Sequence, residues 1–210
     1  MPQTFIDNWI KTKGWKLHDH QIKMIQSGAS GSSSLLIAPT GGGKTLAGFL
    51  PSIIELNAYP TNSLHTIYIS PLKALTVDVA RNLLNPLSEM GLKITVETRT
   101  GDTPQSKRQR QRKSPPNILL TTPESLALLI SYPDSAAIFQ ELRCVIIDEL
   151  HALAPTKRGD LLSLALARLN KWAPKARRVG LSATIPYPEE MAEYLSCGQK
   201  IKTVQIIQAQ

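Results

Sequence analysis

Short apolar runs alternate with longer helical patterns along this chain, and that alternation restricts its fold more than any other feature. The runs are Leu35–Ala38, Thr66–Ser70, Ile94–Thr98, Ile118–Thr121, Cys144–Ile147 and Val179–Ser182, with a last one near Ile201–Ile207. They lack the apolar–polar alternation of a strand with one wet face, and such runs form strands covered by helices on both faces. Between them, Lys44–Leu56, Leu75–Met90, Leu161–Trp172 and Pro188–Leu195 carry helical spacing. Pro51 is expected to kink the first of these or split it in two, and Gly91 to stop the second. The order predicts an α/β fold with a mostly parallel, doubly wound central sheet and helices on both faces. The SGASGSSS tract at 27–34 reads as a flexible turn before the first strand, and no repeat or composition shift divides the chain.

At 210 residues, with 42% apolar and 19% charged side chains, the chain has the size of one domain and is too apolar for disorder. It is long enough to bury a core without a disulfide or metal staple. Cys144 and Cys197 cannot build a disulfide framework, no Cys/His cluster has zinc spacing, and Cys144 reads as a small core residue. No run is long enough for a helical membrane span, and MPQTFIDNWIKTKG lacks the apolar core of a leader. These features fit a cytoplasmic protein with no membrane partner. Lys and Arg number 24 against 16 Asp and Glu, a net charge of +8, which points to an anionic partner or simply to a solvated basic surface.

The strongest local signal is SLLIAPTGGGKTLAGFL, residues 34–50. An apolar run, a Gly-rich turn, Lys-Thr and a helical pattern make the context that a phosphate-binding loop requires. In Thr40-Gly41-Gly42-Gly43-Lys44-Thr45 the glycines let backbone N–H groups converge on phosphate oxygens. Lys44 reaches the β- and γ-phosphates, Thr45 offers a hydroxyl to Mg2+, and the helix N-terminus adds partial positive charge. The first glycine of the G-x-x-x-x-G-K-[ST] pattern is Ala38 here. Downstream, the apolar run Cys144–Ile147 ends in Asp148-Glu149-Leu150-His151. At the carboxyl end of a strand, Asp148 holds Mg2+ through its water shell and Glu149 serves as general base for the attacking water. Taken alone, such an acidic pair is commonly a helix cap with a charged first turn. His151 lies too far along for a metal ligand and is assigned to coupling.

AxTGxGKT, then DExH, then Ser182-Ala183-Thr184 resembles the first motor domain of superfamily 2 helicases, which implies a RecA-like P-loop NTPase fold and ATP with Mg2+ as its cofactors. By the same resemblance, Gln21 is the adenine-reading glutamine, with Trp15 or His18 as a stacking neighbour, and Ser182 and Thr184 join His151 in coupling. Ser70-Pro71-Leu72-Lys73 resembles a nucleic-acid contact motif, as do Arg99-Thr100-Gly101-Asp102 and Thr121-Thr122-Pro123-Glu124; Lys157 and Arg158 of the following TKRG are assigned with them. TTPESL is also an ordinary helix cap, and both readings hold together. The HALAPTKRG and RTGDTP segments narrow the resemblance to the Lhr-like (large helicase-related) family. Within it, LHTIYISPLKALTVDVARNL is similar to the bacterial ligase-associated DEXH-box helicases. Pro155 stands where that family carries glycine.

The resemblance implies ATP-driven 3′-to-5′ translocation on single-stranded DNA in a repair setting, with a ligase and nuclease as partners and RNA left open. It implies a single helicase ATP-binding domain over 1–210, residues 1–30 forming a helical flank. The stretch after Thr184 leaves no room for a second RecA-like domain, which carries the arginine fingers, so weak ATPase and no unwinding are expected of this chain alone; lost trans arginines cost about 10³–10⁵ in rate. The alternatives are a motor on RNA or in a restriction or remodelling complex, and a non-catalytic nucleic-acid-binding module. The run Lys107–Lys113, ahead of Pro115-Pro116, is read as solvated surface, with accessory phosphate contact as its alternative.

Overall fold

The computed structural model describes residues 4–39, 41–183, 185–197 and 204–209, with the backbone alone at Thr4 and Leu75. Its strands are β1 (Ser34–Ile37), β2 (Thr66–Ile69), β3 (Val96–Arg99), β4 (Ile118–Thr121), β5 (Cys144–Ile147), β6 (Arg177–Ser182) and β7 (Gln205–Gln208). Every pairing is parallel, in the order β3-β4-β2-β5-β6-β1-β7. Helices α1 (Thr4–Thr12) and α2 (Asp19–Ala29) precede the sheet. Next come α3 (Lys44–Ala58), α4 (Lys73–Glu89), α5 (Gln105–Lys113), α6 (Pro123–Ile130) and α7 (Ser135–Phe139). Helices α8 (Leu150–Leu153), α9 (Lys157–Trp172) and α10 (Pro188–Ser196) complete the described set. Among the described residues no helix is long and apolar enough to cross a membrane.

The apolar runs are explained by which face each side chain meets. Leu35, Ile37, Ile67, Ile69, Val145 and Ile147 pack with α6–α10, while their neighbours Leu36, Tyr68, Cys144 and Ile146 pack with α2, α3 and α4. Successive strand residues point to opposite faces, so a sheet covered on both sides needs an unbroken apolar run. Gly180 in β6 completes this fit, since a Cβ there would lie 2.7 Å from Leu195 and 2.8 Å from Leu150.

Two expectations fail for packing reasons. Pro51 does not divide its helix: α3 runs through it to Ala58, and Pro51 is buried. The pyrrolidine ring fills the place of the absent Cβ of Gly28 on α2, which such a Cβ would overlap. That contact offsets the missing helical hydrogen bond. The SGASGSSS tract is not a loose turn. Its first three residues finish α2, the Ser27 and Ser34 hydroxyls meet at 2.5 Å, and buried Ser33 accepts from the Arg178 backbone N–H at 3.0 Å. Gly91, at φ +68°, follows α4 as expected. The last run is β7, with residues 198–203 outside the described set.

Gly28→Ala is expected to force α2 away from α3 and cost about 1–3 kcal/mol of stability; urea unfolding of the two proteins measures it.

Candidate functional site

A parallel sheet presents the carboxyl ends of all its strands at one pole, and the chemistry-bearing loops gather there. The loop after β1 carries Gly41 and Gly43 at φ +81° and +69°, conformations that cost glycine little. Gly43 is the N-cap of α3 and has no side chain to cover the first N–H groups of the helix, the groups by which a helix N-terminus receives an anion. Lys44 is buried, and its ammonium donates to the Ala38 carbonyl at 2.8 Å. Thr45 follows in the first turn of α3, half-buried; Thr40 lies outside the described residues.

The α2 start is built against this loop. The Gln21 carbonyl oxygen caps its own helix by accepting from the His18 N–H at 3.0 Å, and a Cβ on Gly43 would lie only 2.8 Å from the Gln21 amide nitrogen. Thus Gln21 touches the phosphate loop itself. His18 stacks over His20 with ring centroids 5.3 Å apart, and both line a cleft of about 400 Å³ with Asp19, Lys23, Pro39 and Gly42. Trp15 instead packs edge-on against Trp9 of α1. His20 escaped sequence reading: its Nε2 donates to the Gly42 carbonyl at 2.9 Å, tying α2 to the loop. Burial pushes the His20 imidazole below its ordinary range, the Gly42 bond opposing that in part.

Two strands away, across β6, β5 delivers the acids. Asp148 is buried; one oxygen accepts from the Glu149 N–H at 2.9 Å and the other from the Tyr68 hydroxyl. Burial pushes its carboxyl above the usual carboxylate range, despite those bonds and the nearby Lys44. Tyr68 reads in sequence as one more strand aromatic, so nothing there announced this cap. Glu149 is the one non-glycine among the described residues with positive φ, at +48°. A left-handed glutamate costs roughly 1–2 kcal/mol, and such strain concentrates at functional sites. His151 Nδ1 accepts from the Ala183 N–H at 3.3 Å and lies 3.1 Å from the Ser182 hydroxyl. Its Nε2 therefore carries the proton and faces Glu149 at 3.4 Å. His151 thus joins the end of β6 to the acid after β5; Thr184 lies outside the described residues.

The hard oxygen donors of Thr45 and Asp148 suit Mg2+ held through water. The raised carboxyl of Asp148 fits as well, since a divalent cation offsets the cost of a buried negative charge. Among the described residues no group of three or more His, Cys, Asp or Glu forms a self-sufficient metal cage.

The nucleic-acid loops differ most from expectation. Arg99 cannot present its guanidinium to a backbone: it is 1% exposed and donates to the Arg108 carbonyl at 3.0 Å, because α5 folds over the end of edge strand β3. The Thr121 hydroxyl is buried and spent on the Arg99 carbonyl at 2.8 Å. Thr122 caps α6 by accepting from the Ser125 N–H, with buried Pro123 in the first turn. Ser70 is buried beside the turn at Pro71. Lys73 and Asp102 remain exposed but pair at 3.0 Å, above Gly101. Lys157 is exposed. Arg158 pairs with Glu124 and donates to the Pro71 carbonyl at 2.7 Å, so these three positions hold one another. Pro155 fits the short turn between α8 and α9. The basic run is surface with its charges partly spent on acidic neighbours. It forms α5, with Arg110 on Glu97 at 2.7 Å, Arg112 on Asp134 at 2.6 Å and over the Tyr132 ring, and Gln111 buried.

The sequence profile of DEAD/DEAH box helicases matches residues 18–192. The chain belongs to the DEAD/DEAH box helicase family. It is 46% identical over 192 residues to the Lhr helicase/probable uracil glycosylase of Mycolicibacterium smegmatis, covering 84% of this chain and 12% of that protein. To the ATP-dependent helicase Lhr-Core of Methanocaldococcus jannaschii it is 40% identical over 205 residues, covering 90% of this chain and 24% of that one. The solved structure of Mycobacterium smegmatis helicase Lhr bound to ssDNA and AMP-PNP superposes with a TM-score of 0.89 at 39% identity, over 100% of this chain and 28% of that one. The chain therefore spans about an eighth to a quarter of the curated relatives' length, and in sequence and fold it is similar to the RecA-like motor domain of Lhr helicases.

Two outcomes follow from this geometry. The neutral His20 contact is stabilising above the unfolded histidine pKa of about 6.5 and is lost as pH falls through the lowered folded value. His20→Gln keeps a donor toward Gly42 and should flatten the fall in thermal midpoint between about pH 7 and pH 5. Arg110→Gln should leave the salt dependence of single-strand binding unchanged, whereas a lost phosphate contact would flatten the log–log slope by about 0.7.

Proposed function

We propose that this chain is the ATP-binding motor domain of a helicase that translocates 3′ to 5′ along single-stranded DNA in DNA repair. The observation that carries the reading is the meeting, at one pole of one sheet, of the Lys44 loop, the Asp148–Glu149 pair and the His151–Ser182 bridge between them. A relative of this family solved with ssDNA and AMP-PNP supports ATP and single-stranded DNA as the ligands. The net charge of +8 is in keeping with a polyanionic track.

In this reading the N–H groups of Gly41, Gly43 and the start of α3 receive the β- and γ-phosphates, the Gly42 N–H holding the turn by donating to the Pro39 carbonyl at 3.2 Å, and Lys44 exchanges the Ala38 carbonyl for phosphate oxygen. Gln21 and the cleft beside His18 and His20 take the adenine end. Thr45 and Asp148 would hold Mg2+, which would supply neutralisation of phosphate charge. Glu149 accepts the proton of the attacking water as its oxygen bonds the γ-phosphorus and the bond to the bridging oxygen breaks, releasing ADP. His151 senses that change at Glu149 and passes it to Ser182 and Ala183 at the end of β6. The arginines that complete the transition state come from a second RecA-like domain of the parent protein, and a ligase and nuclease are its repair partners.

The test is ATP hydrolysis by the parent protein with single-stranded DNA or RNA, and unwinding of 3′- against 5′-tailed duplexes. DNA is expected to stimulate hydrolysis more than RNA, and only 3′-tailed duplex to open. Glu149→Gln should lower kcat by about 10²–10⁴ while ATP still binds; Lys44→Ala should lose binding as well. Hydrolysis that survives both substitutions would make the chain a non-catalytic binding module.

A further inference from the structure

The Arg158 guanidinium was expected to contact nucleic acid, yet at the surface it is engaged by other groups of the chain on both sides. Nε and an Nη donate to the two Glu124 oxygens at 2.5 and 3.0 Å, and the other Nη donates to the Pro71 carbonyl at 2.7 Å. This two-pronged fork on a carboxylate fixes the plane of the guanidinium, which a lysine ammonium cannot do. Glu124 stands in the first turn of α6, just past the Thr122 cap that follows β4, and Pro71 sits in the turn after β2; these strands are direct neighbours. The two loops thus leave the sheet side by side, and one side chain ties them.

Arg158 is itself firmly anchored. It stands in the first turn of α9, whose N-cap Thr156 accepts from the Gly159 N–H at 3.2 Å. Gly159 has no room for a Cβ, which would run into the Leu153 and Ala154 carbonyls at the end of α8, and its own carbonyl accepts from the Tyr194 hydroxyl at 2.6 Å. With Ser70, Thr121 and Thr122 buried, backbone groups of these loops are left as the means of gripping phosphate, and such a grip depends on loop placement.

We propose that Arg158 is a positioning residue: by clamping Glu124 to the Pro71 carbonyl it sets the spacing of the two loops that grip successive phosphates, and it does not itself bind the strand. The clamp rests on the nucleic-acid reading above.

The experiment is fluorescence-anisotropy binding of a labelled oligothymidine across several salt concentrations, using the parent protein and its Arg158→Lys, Glu124→Gln and double variants, with thermal midpoints alongside. The clamp predicts that either single variant weakens binding about fivefold with an unchanged salt slope, the scale of one partly exposed charge-assisted contact. It also predicts that the double variant is no worse than either single one. If Arg158 instead held a phosphate, Arg158→Lys would bind nearly as well as the unaltered protein, and Glu124→Gln would bind more tightly by freeing the cation. Either result overturns the clamp, as would lowered thermal midpoints with unaltered affinity. Failure of the unaltered protein to bind would overturn the nucleic-acid reading itself, and the clamp with it.

Discussion

The central strands of this sheet, most of them four residues long, are buried on both faces, so a polar functional group has no place on the strands except at their ends. Parallel pairing then puts all the carboxyl ends at one pole. Nearly every residue discussed above follows from that constraint: Lys44 after β1, Pro71 after β2, Asp102 after β3, Glu124 after β4, Asp148 after β5 and Ser182 ending β6. The site needs no dedicated scaffold, because the hydrophobic requirement that makes the strands apolar also concentrates the polar loops.

That concentration has local costs. Asp148 is a buried carboxylate raised by desolvation, Glu149 stands in a left-handed conformation, and Lys44 is buried against a carbonyl. Each feature disfavours the folded chain by itself, and in the proposed function a bound polyphosphate and cation would relieve it. The core on either face of the sheet carries these costs, through pairs as close as the Pro51 ring in the notch at Gly28.

Much of this was legible in the sequence. Ile118–Thr121 and Cys144–Ile147 are strands with the boundaries their composition indicates, and the glycine-rich turn takes the backbone its composition demands. What stayed hidden are facts of tertiary contact. Pro51 reads as a helix breaker because propensity knows nothing of Gly28. Arg99 reads as a phosphate contact because nothing local shows α5 folding over it, and Tyr68 reads as core because Asp148 is 80 residues away. Arg158 and Glu124, 34 residues apart, look like two separate exposed charges until the fold makes them one pair.

The strand order carries a consequence for how the chain acquires its shape. The half made of β2, β3, β4 and β5 closes on itself within residues 66–147, but β1 pairs only with β6 and β7. Ser33, just before β1, meets Arg178, 145 residues further along. Contacts of that span form late, because the entropy of closing a long loop must be overcome before they reward it. On the ribosome, where chains emerge N-terminal end first, the glycine-rich loop is made before β6 and held in place only after it. A ligand held by that loop would therefore reward only a sheet that has already closed across β1 and β6.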